Sequence, residues 1–184
     1  MDNGLPNYVV TDVRAATSLN VNHNRGLSAD GTLIHTTSGL DSLDWLTGGS
    51  ERDGNPASAD FLIARNGRRY QITPEGRFAY HAGKSRLTLD RVYTGDEVSQ
   101  KLIGIELECL DSENPTYAQL DSLAQCIVGL AGIWGWRWPF LILGHYAVAR
   151  PLGRRSDPVN MDWGSLMGRL YIRAKNAAVP GLIL

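Results

Sequence analysis

Three histidines, His35, His81 and His145, stand at the ends or edges of runs that read as β-strand. His145 follows Phe140-Leu141-Ile142-Leu143-Gly144 directly, and Asp157 immediately precedes Pro158. A histidine at the end of a buried strand and an aspartate before a proline turn are both held by rigid neighbours, which is how proteins present metal ligands. His35, His145 and Asp157 would supply two nitrogens and one oxygen. A catalytic zinc takes three such ligands at about 2.0–2.2 Å and keeps a fourth position open for water. Spacing alone does not decide the matter. His35 and His145 lie far apart, there is no His-Glu-x-x-His, and satisfied core or surface histidines fit the same pattern. The fourth histidine, His23, lies among Asn22, Asn24 and Arg25 and reads as a solvated loop residue.

The elements that must position these groups follow from patterning. Thr32-Leu33-Ile34-His35-Thr36-Thr37 is β-branched and apolar between Gly31 and Ser38-Gly39, hence a strand. Asp41 to Leu46 reads as a short helix stopped by Gly48-Gly49, and residues 50–57 as a polar loop. Asn66-Gly67 between the runs 59–65 and 68–72 predicts a hairpin. Residues 84–100 read as a long irregular loop. In Leu102 to Cys109 the alternation is clean: Ile103, Ile105, Leu107 and Cys109 face one way, Gly104, Glu106 and Glu108 the other. Thr116-Tyr117-Ala118-Gln119 fits a capping box for a helix that buries Leu120, Leu123, Ile127, Leu130 and Trp134 and stops near Gly135. A short strand at 140–144 leads into the His145 segment. A last helix begins near Asp162 and is expected to bury Trp163, Leu166, Met167, Leu170 and Tyr171. Strands interleaved with helices, one hairpin among them, predict a single α/β domain with a central mixed β-sheet flanked by α-helices. Residues 1–30 are polar, with a short edge strand at Tyr8-Val9-Val10, and read as an N-terminal extension packed on or beside a domain spanning 31–184.

Composition narrows the function classes. The 184 residues are 43% hydrophobic and 20% charged with a formal net charge of −1, so there is no global basic footprint for nucleic acid. No apolar run approaches the roughly 18 residues of a membrane span. The first residues show neither a basic nor an apolar leader region, so no signal peptide is expected. Cys109 and Cys126 are read as buried thiols rather than as a disulfide or metal pair, consistent with folding in a reducing cytoplasm. Neither has a nucleophile context, and no Gly-x-Ser-x-Gly elbow is present. Trp134, Trp136 and Trp138 either close the core or stack on sugars.

Five blocks in order carry a resemblance: Leu33-Ile34-His35-Thr36-Thr37-Ser38, Ser58-Ala59-Asp60-Phe61-Leu62-Ile63, Tyr80-His81-Ala82-Gly83, Ile103-Gly104-Ile105-Glu106-Leu107-Glu108, and Gly144-His145 with Arg155-Ser156-Asp157-Pro158. Together, over about residues 31–173, the chain resembles the zinc-dependent N-acetylmuramoyl-L-alanine amidases, the type-2 amidase group that includes phage lysozyme-type amidases and peptidoglycan recognition proteins. The resemblance implies a zinc amidase catalytic domain over 31–184, with one Zn²⁺ per chain held by His35, His145 and Asp157. It implies Glu106 as the acid/base residue and places His81 on the cleft wall. Without it, Glu106 reads first as a solvated strand glutamate. Three departures stand out. Arg155 replaces a common lysine, which keeps the charge for an oxyanion but not a proton donor. The His145–Asp157 connection is about two residues longer than usual by alignment of the motifs. Asp60 and Ala59 replace a common His and a catalytic Tyr, which moves the base role to Glu106.

The implied activity is cleavage of the amide between N-acetylmuramic acid and L-alanine, with peptidoglycan or muropeptides as partner and no nucleic acid or membrane insertion. Lys84, Arg86 and Arg154 are expected either to form a cationic rim for peptide carboxylates or to be solvated surface charge. A small leaderless domain suggests a monomeric, bacteriolytic phage endolysin, made in the host cytoplasm and released to the wall. The alternatives are a cytosolic muropeptide-recycling amidase and a non-catalytic peptidoglycan-binding module on the same fold.

Overall fold

The structure, a computed structural model, describes residue 9 and residues 12–13, 21–22, 28–49, 54, 57–74 and 76–182. His23 and the outer residues of the expected Tyr8–Val10 strand lie outside the described residues, and Val9 itself lies in a turn. The chain runs β1 (Asp12–Val13), β2 (Val21–Asn22), β3 (Gly31–Thr36) and α1 (Ser42–Asp44), which continues into a wider turn, Trp45–Gly49. β4 (Phe61–Ile63), β5 (Arg69–Gln71), β6 (Phe78–Ala79), β7 (Arg86–Thr88) and β8 (Val92–Thr94) follow. Then come α2 (Asp96–Lys101), β9 (Leu102–Leu107), α3 (Tyr117–Trp134), β10 (Leu141–Gly144), α4 (His145–Val148) and α5 (Trp163–Asn176).

Six strands form one sheet in the order β1-β5-β4-β9-β3-β10. β4 and β5 are antiparallel and every other neighbouring pair is parallel, so the sheet is mixed, as expected. The hairpin turns at Asn66-Gly67, where Gly67 takes a φ of 84° that its missing Cβ permits. β9 is central because both its faces are buried. Ile103, Ile105 and Leu107 join Leu123, Ile127, Leu166 and Leu170 in the main core beneath α3 and α5. On the opposite face Leu102 joins Leu33, Ala82, Leu87, Tyr93, Val98 and Val148. Each such buried aliphatic side chain contributes about 1.5–3 kcal/mol relative to exposure.

α3 starts where its capping box demands: the Thr116 hydroxyl accepts from the Gln119 N–H at 3.1 Å, and Gln119 Oε1 accepts from the Thr116 N–H at 2.9 Å. Gly135, at φ 69°, ends it. Thr116→Ala is expected to cost about 1 kcal/mol, seen as a lower urea midpoint at unchanged slope.

Two expectations are corrected. Residues 84–100 are not an irregular loop: they hold the β7–β8 hairpin and α2. The polar composition hid them because only Leu87, Tyr93 and Val98 point into the second core. On α5, Met167 and Tyr171 are exposed at 39% and 42%, because the buried stripe is narrower and runs through Leu166, Leu170 and Ala174. The tryptophans follow the core reading. Trp136 is buried and its indole N–H donates to the Ala29 carbonyl, while Trp134 and Trp138 pack against the main core. Both cysteines are free and buried, and burial pushes their thiols up, Cys126 to about 12. Among the described residues no helix is long and apolar enough to cross a membrane.

Candidate metal centre

Neighbouring parallel strands bring the site together at their carboxyl ends, where open α/β sheets place their sites. His35 on β3 pairs in register with Glu106 on β9. His145 opens α4 directly after β10, whose Gly144 pairs with Ile34. Asp157 comes back against His145 because the Tyr146 N–H donates to the Asp157 carbonyl at 3.0 Å. Gly144 is required for that return: a Cβ there would lie 2.4 Å from the Tyr146 ring and 2.9 Å from Pro158 Cδ.

Three atoms converge. His35 Nδ1 lies 3.1 Å from His145 Nδ1 and 3.1 Å from Asp157 Oδ2, and His145 Nδ1 lies 3.0 Å from the same oxygen. The far side of each ring says what these nitrogens carry. His145 Nε2 is 3.1 Å from the Ala82 carbonyl, and His81 Nε2 is 3.1 Å from the Leu102 carbonyl. A carbonyl only accepts, so both Nε2 atoms donate. His81 Nδ1 is then an acceptor in the neutral ring, and His35 Nε2, 3.1 Å away, donates to it. Burial, ahead of the opposing hydrogen bond to Asp157, lowers the His35 pKa, which keeps its ring neutral near pH 7. With the protons on Nε2, both Nδ1 lone pairs point at each other and at a carboxylate, an arrangement that a shared cation relieves. Burial alone would raise the Asp157 carboxyl, but the His145 and His35 rings beside it, each able to donate to Oδ2 once Nδ1 is protonated, outweigh burial and hold it well below the usual carboxylate range.

The donor set fits zinc. A tetrahedral site with bonds of about 2.0–2.1 Å has ligand–ligand edges of about 3.3–3.4 Å, close to the observed triangle. Backbone and His81 contacts at the outer nitrogens fix the tautomers as zinc ligation needs. Among the described residues these are the His, Cys, Asp and Glu side chains that converge in this way.

The triangle faces a cavity of about 340 Å³ whose lining includes His81, Glu106 and Arg155. Glu106 Oε2 is fully enclosed with no hydrogen-bond partner. Burial first, then the charge of Asp157, raises the Glu106 carboxyl to about 8, against the opposing pull of Arg155. A carboxylate starved of donors beside a cation site is poised to take a proton. Glu108, by contrast, accepts from the Ser42 and Arg65 N–H groups and ties two loops together. A larger cavity of about 490 Å³, between α3 and the turn after α5, holds no such cluster.

The structure brings His35, His81, Glu106, His145, Arg155 and Asp157 to one cavity and leaves two expected residues off its lining, Lys84 and Arg154. The Arg154 guanidinium donates to the Ala82, Lys84 and Arg150 carbonyls, behind Gly83. His81 stands behind His35 as well as on the cavity wall. Its neighbours, the Leu102 carbonyl and Gly104, were not foreseen, although a glycine inside a strand signals close approach. A Cβ at Gly104 would fall 2.5 Å from the His81 ring. Asp60 braces this region: its Oδ2 accepts from the Gly104 N–H at 2.8 Å and its Oδ1 from the Ala79 N–H at 3.0 Å. Gly104→Ala is thus expected to displace His81 and weaken zinc binding about 10–100-fold, measured by competition with a chromogenic chelator.

Comparison with known proteins places this geometry. A family model described as N-acetylmuramoyl-L-alanine amidase matches residues 25–160. The 1,6-anhydro-N-acetylmuramyl-L-alanine amidase AmpD of Enterobacter cloacae is 37% identical over 111 residues, covering 58% of this chain. The match spans about half, 53%, of that relative's length. The crystal structure of a selenomethionine AmpD derivative aligns with a TM-score of 0.69 at 25% identity, covering 90% of this chain and 98% of that one. The endolysin amidase LysCS from Clostridium intestinale shares the fold, with a TM-score of 0.61 at 15% identity over 88% of this chain and 96% of its own. The family match takes in all five motif blocks and well over half of the sequence, and the chain belongs to the N-acetylmuramoyl-L-alanine amidase family.

Proposed function

We propose that this chain is a zinc-dependent amidase that, as a single chain, hydrolyses the bond between the lactyl group of N-acetylmuramic acid and L-alanine. The observation that carries this is the triangle of His35 Nδ1, His145 Nδ1 and Asp157 Oδ2 beside the unpartnered Glu106 Oε2. Zinc bound there supplies Lewis acidity, polarising a carbonyl and lowering the pKa of water toward about 7. Glu106 accepts the proton of the attacking water and returns it to the leaving amine. Its enclosed Oε2 holds that proton away from solvent. Arg155, on the cavity wall, faces the oxyanion that develops on the carbonyl, a role that contributes a few kcal/mol. His81 keeps His35 in its Nε2–H form. Lys84, exposed and next in the chain to the cavity-lining Gly83, offers charge to the peptide's carboxylates.

A binding module on the same fold would have no use for an enclosed, donor-starved Glu106, so the enzyme reading is preferred. The similarity to a 1,6-anhydro-N-acetylmuramyl-L-alanine amidase supports anhydro-muropeptides as substrate ahead of the intact wall. Digestion of soluble anhydro-muropeptides and of purified sacculi in parallel, read by mass spectrometry, tests this. New L-alanine amino termini, faster from the soluble fragments, are expected. Faster release from sacculi would restore the endolysin reading, and new reducing ends would replace amidase with glycosidase.

A further inference from the structure

The metal cavity shares a wall with a second recess. Trp45, on the wide turn after α1, lines both the cavity and an adjoining space of about 490 Å³. Trp45 is 36% exposed although the next residue, Leu46, is buried at 2%, so the turn is anchored and part of Trp45 is open at the junction. The two spaces that meet at Trp45 differ in charge. Asp41 and Asp44 line the recess beyond Trp45. The metal cavity carries Arg155 and, when loaded, the proposed zinc, whose charge offsets that of Asp157 and Glu106.

A substrate of the proposed reaction also has two unlike halves joined at the scissile amide. One is an uncharged amino sugar with an apolar C–H face. The other is a peptide whose carboxylates make it anionic. The carboxylates are repelled from the Asp41–Asp44 end and drawn toward Arg155. The sugar, without charge, is left to the aromatic wall, where an indole offers a broad apolar face. We infer that Trp45 is a specificity-determining residue that seats the amino-sugar ring between the metal centre and the Asp41–Asp44 recess, so that the peptide leaves toward Arg155. The inference rests on the amidase reading.

Its test compares kcat/KM for two substrates with the same scissile amide, an N-acetylmuramoyl-L-alanyl peptide and the corresponding D-lactyl-L-alanyl peptide that lacks the sugar. In wild type the ratio favours the sugar substrate. Trp45→Ala lowers that ratio about tenfold, mainly through KM, and Trp45→Phe retains most of it. Zinc content equal to wild type shows that the variants are folded at the site. An unchanged ratio in Trp45→Ala overturns the inference while leaving the amidase reading intact. Failure of the zinc-loaded wild type to cleave either substrate overturns both.

Discussion

Glu106→Gln is expected to bind zinc as wild type does and to lose roughly 10²–10⁴-fold in kcat. The substitution keeps the shape of the side chain on β9 and its place opposite His35. What it removes is the ability to take a proton at an enclosed oxygen that has no other partner. Leaving such an oxygen unsatisfied costs the resting protein about 1–3 kcal/mol, which the proposed proton-accepting role would account for. Because the base acts ionised, kcat/KM should rise with pH through its pKa. A divalent cation beside Asp157 opposes the carboxylate charge that helps raise Glu106 to about 8, so the acid limb of the zinc enzyme is expected below that value. The variant should lack this limb. In the metal-free chain the same shift appears as stability. The folded value is raised from 4.5 to about 8, so the contribution is complete below 4.5 and is lost as pH rises toward 8. Thermal melts of the metal-free wild type should show that decline, and Glu106→Gln should flatten it. Full turnover in the variant would move the base elsewhere.

Removing a ligand should have the larger effect. Asp157→Ala is expected to abolish stoichiometric zinc binding and to lower hydrolysis by roughly three decades or more, the several kcal/mol that a Lewis acid supplies. It also leaves His35 Nδ1 and His145 Nδ1 facing each other at 3.1 Å without the carboxylate. Metal-free wild type can place a proton between either Nδ1 and the carboxylate, and the variant cannot, so it should melt lower than metal-free wild type. Elemental analysis, kinetics and a thermal scan read the three effects. Retention of one tightly held zinc and of wild-type turnover would mean that another acid ligates, and that the longer loop from His145 has shifted the ligand.

Much of this was legible in the chain because it rests on local rules. Alternation put Ile103, Ile105 and Leu107 on the core face and left Glu106 on the other. The capping box at Thr116 and the Asn66-Gly67 turn appear where their chemistry requires. The convergence of His35, His145 and Asp157 was anticipated by motif resemblance rather than by spacing, since β3 and β10 become neighbours only when the sheet assembles. What escaped the sequence was non-local. The hairpin and short helix inside residues 84–100 depend on packing against Leu33 and Leu102, not on their own weak patterning. The tautomer of His35 depends on His81, whose own proton is set by a carbonyl of β9. Backbone carbonyls leave no mark in a list of side chains. The Asp12–Val13 strand pairs with Tyr70 and Gln71 and extends the sheet, yet two residues carry too little pattern to be read as a strand.

The most direct measurement is the yield of L-alanine amino termini from a soluble muropeptide, followed through chelation and zinc reload of one wild-type preparation. The yield is expected to vanish when the metal is removed and to return with one equivalent of zinc per chain. Undiminished release by protein whose metal content is below detection would contradict a zinc centre at His35, His145 and Asp157.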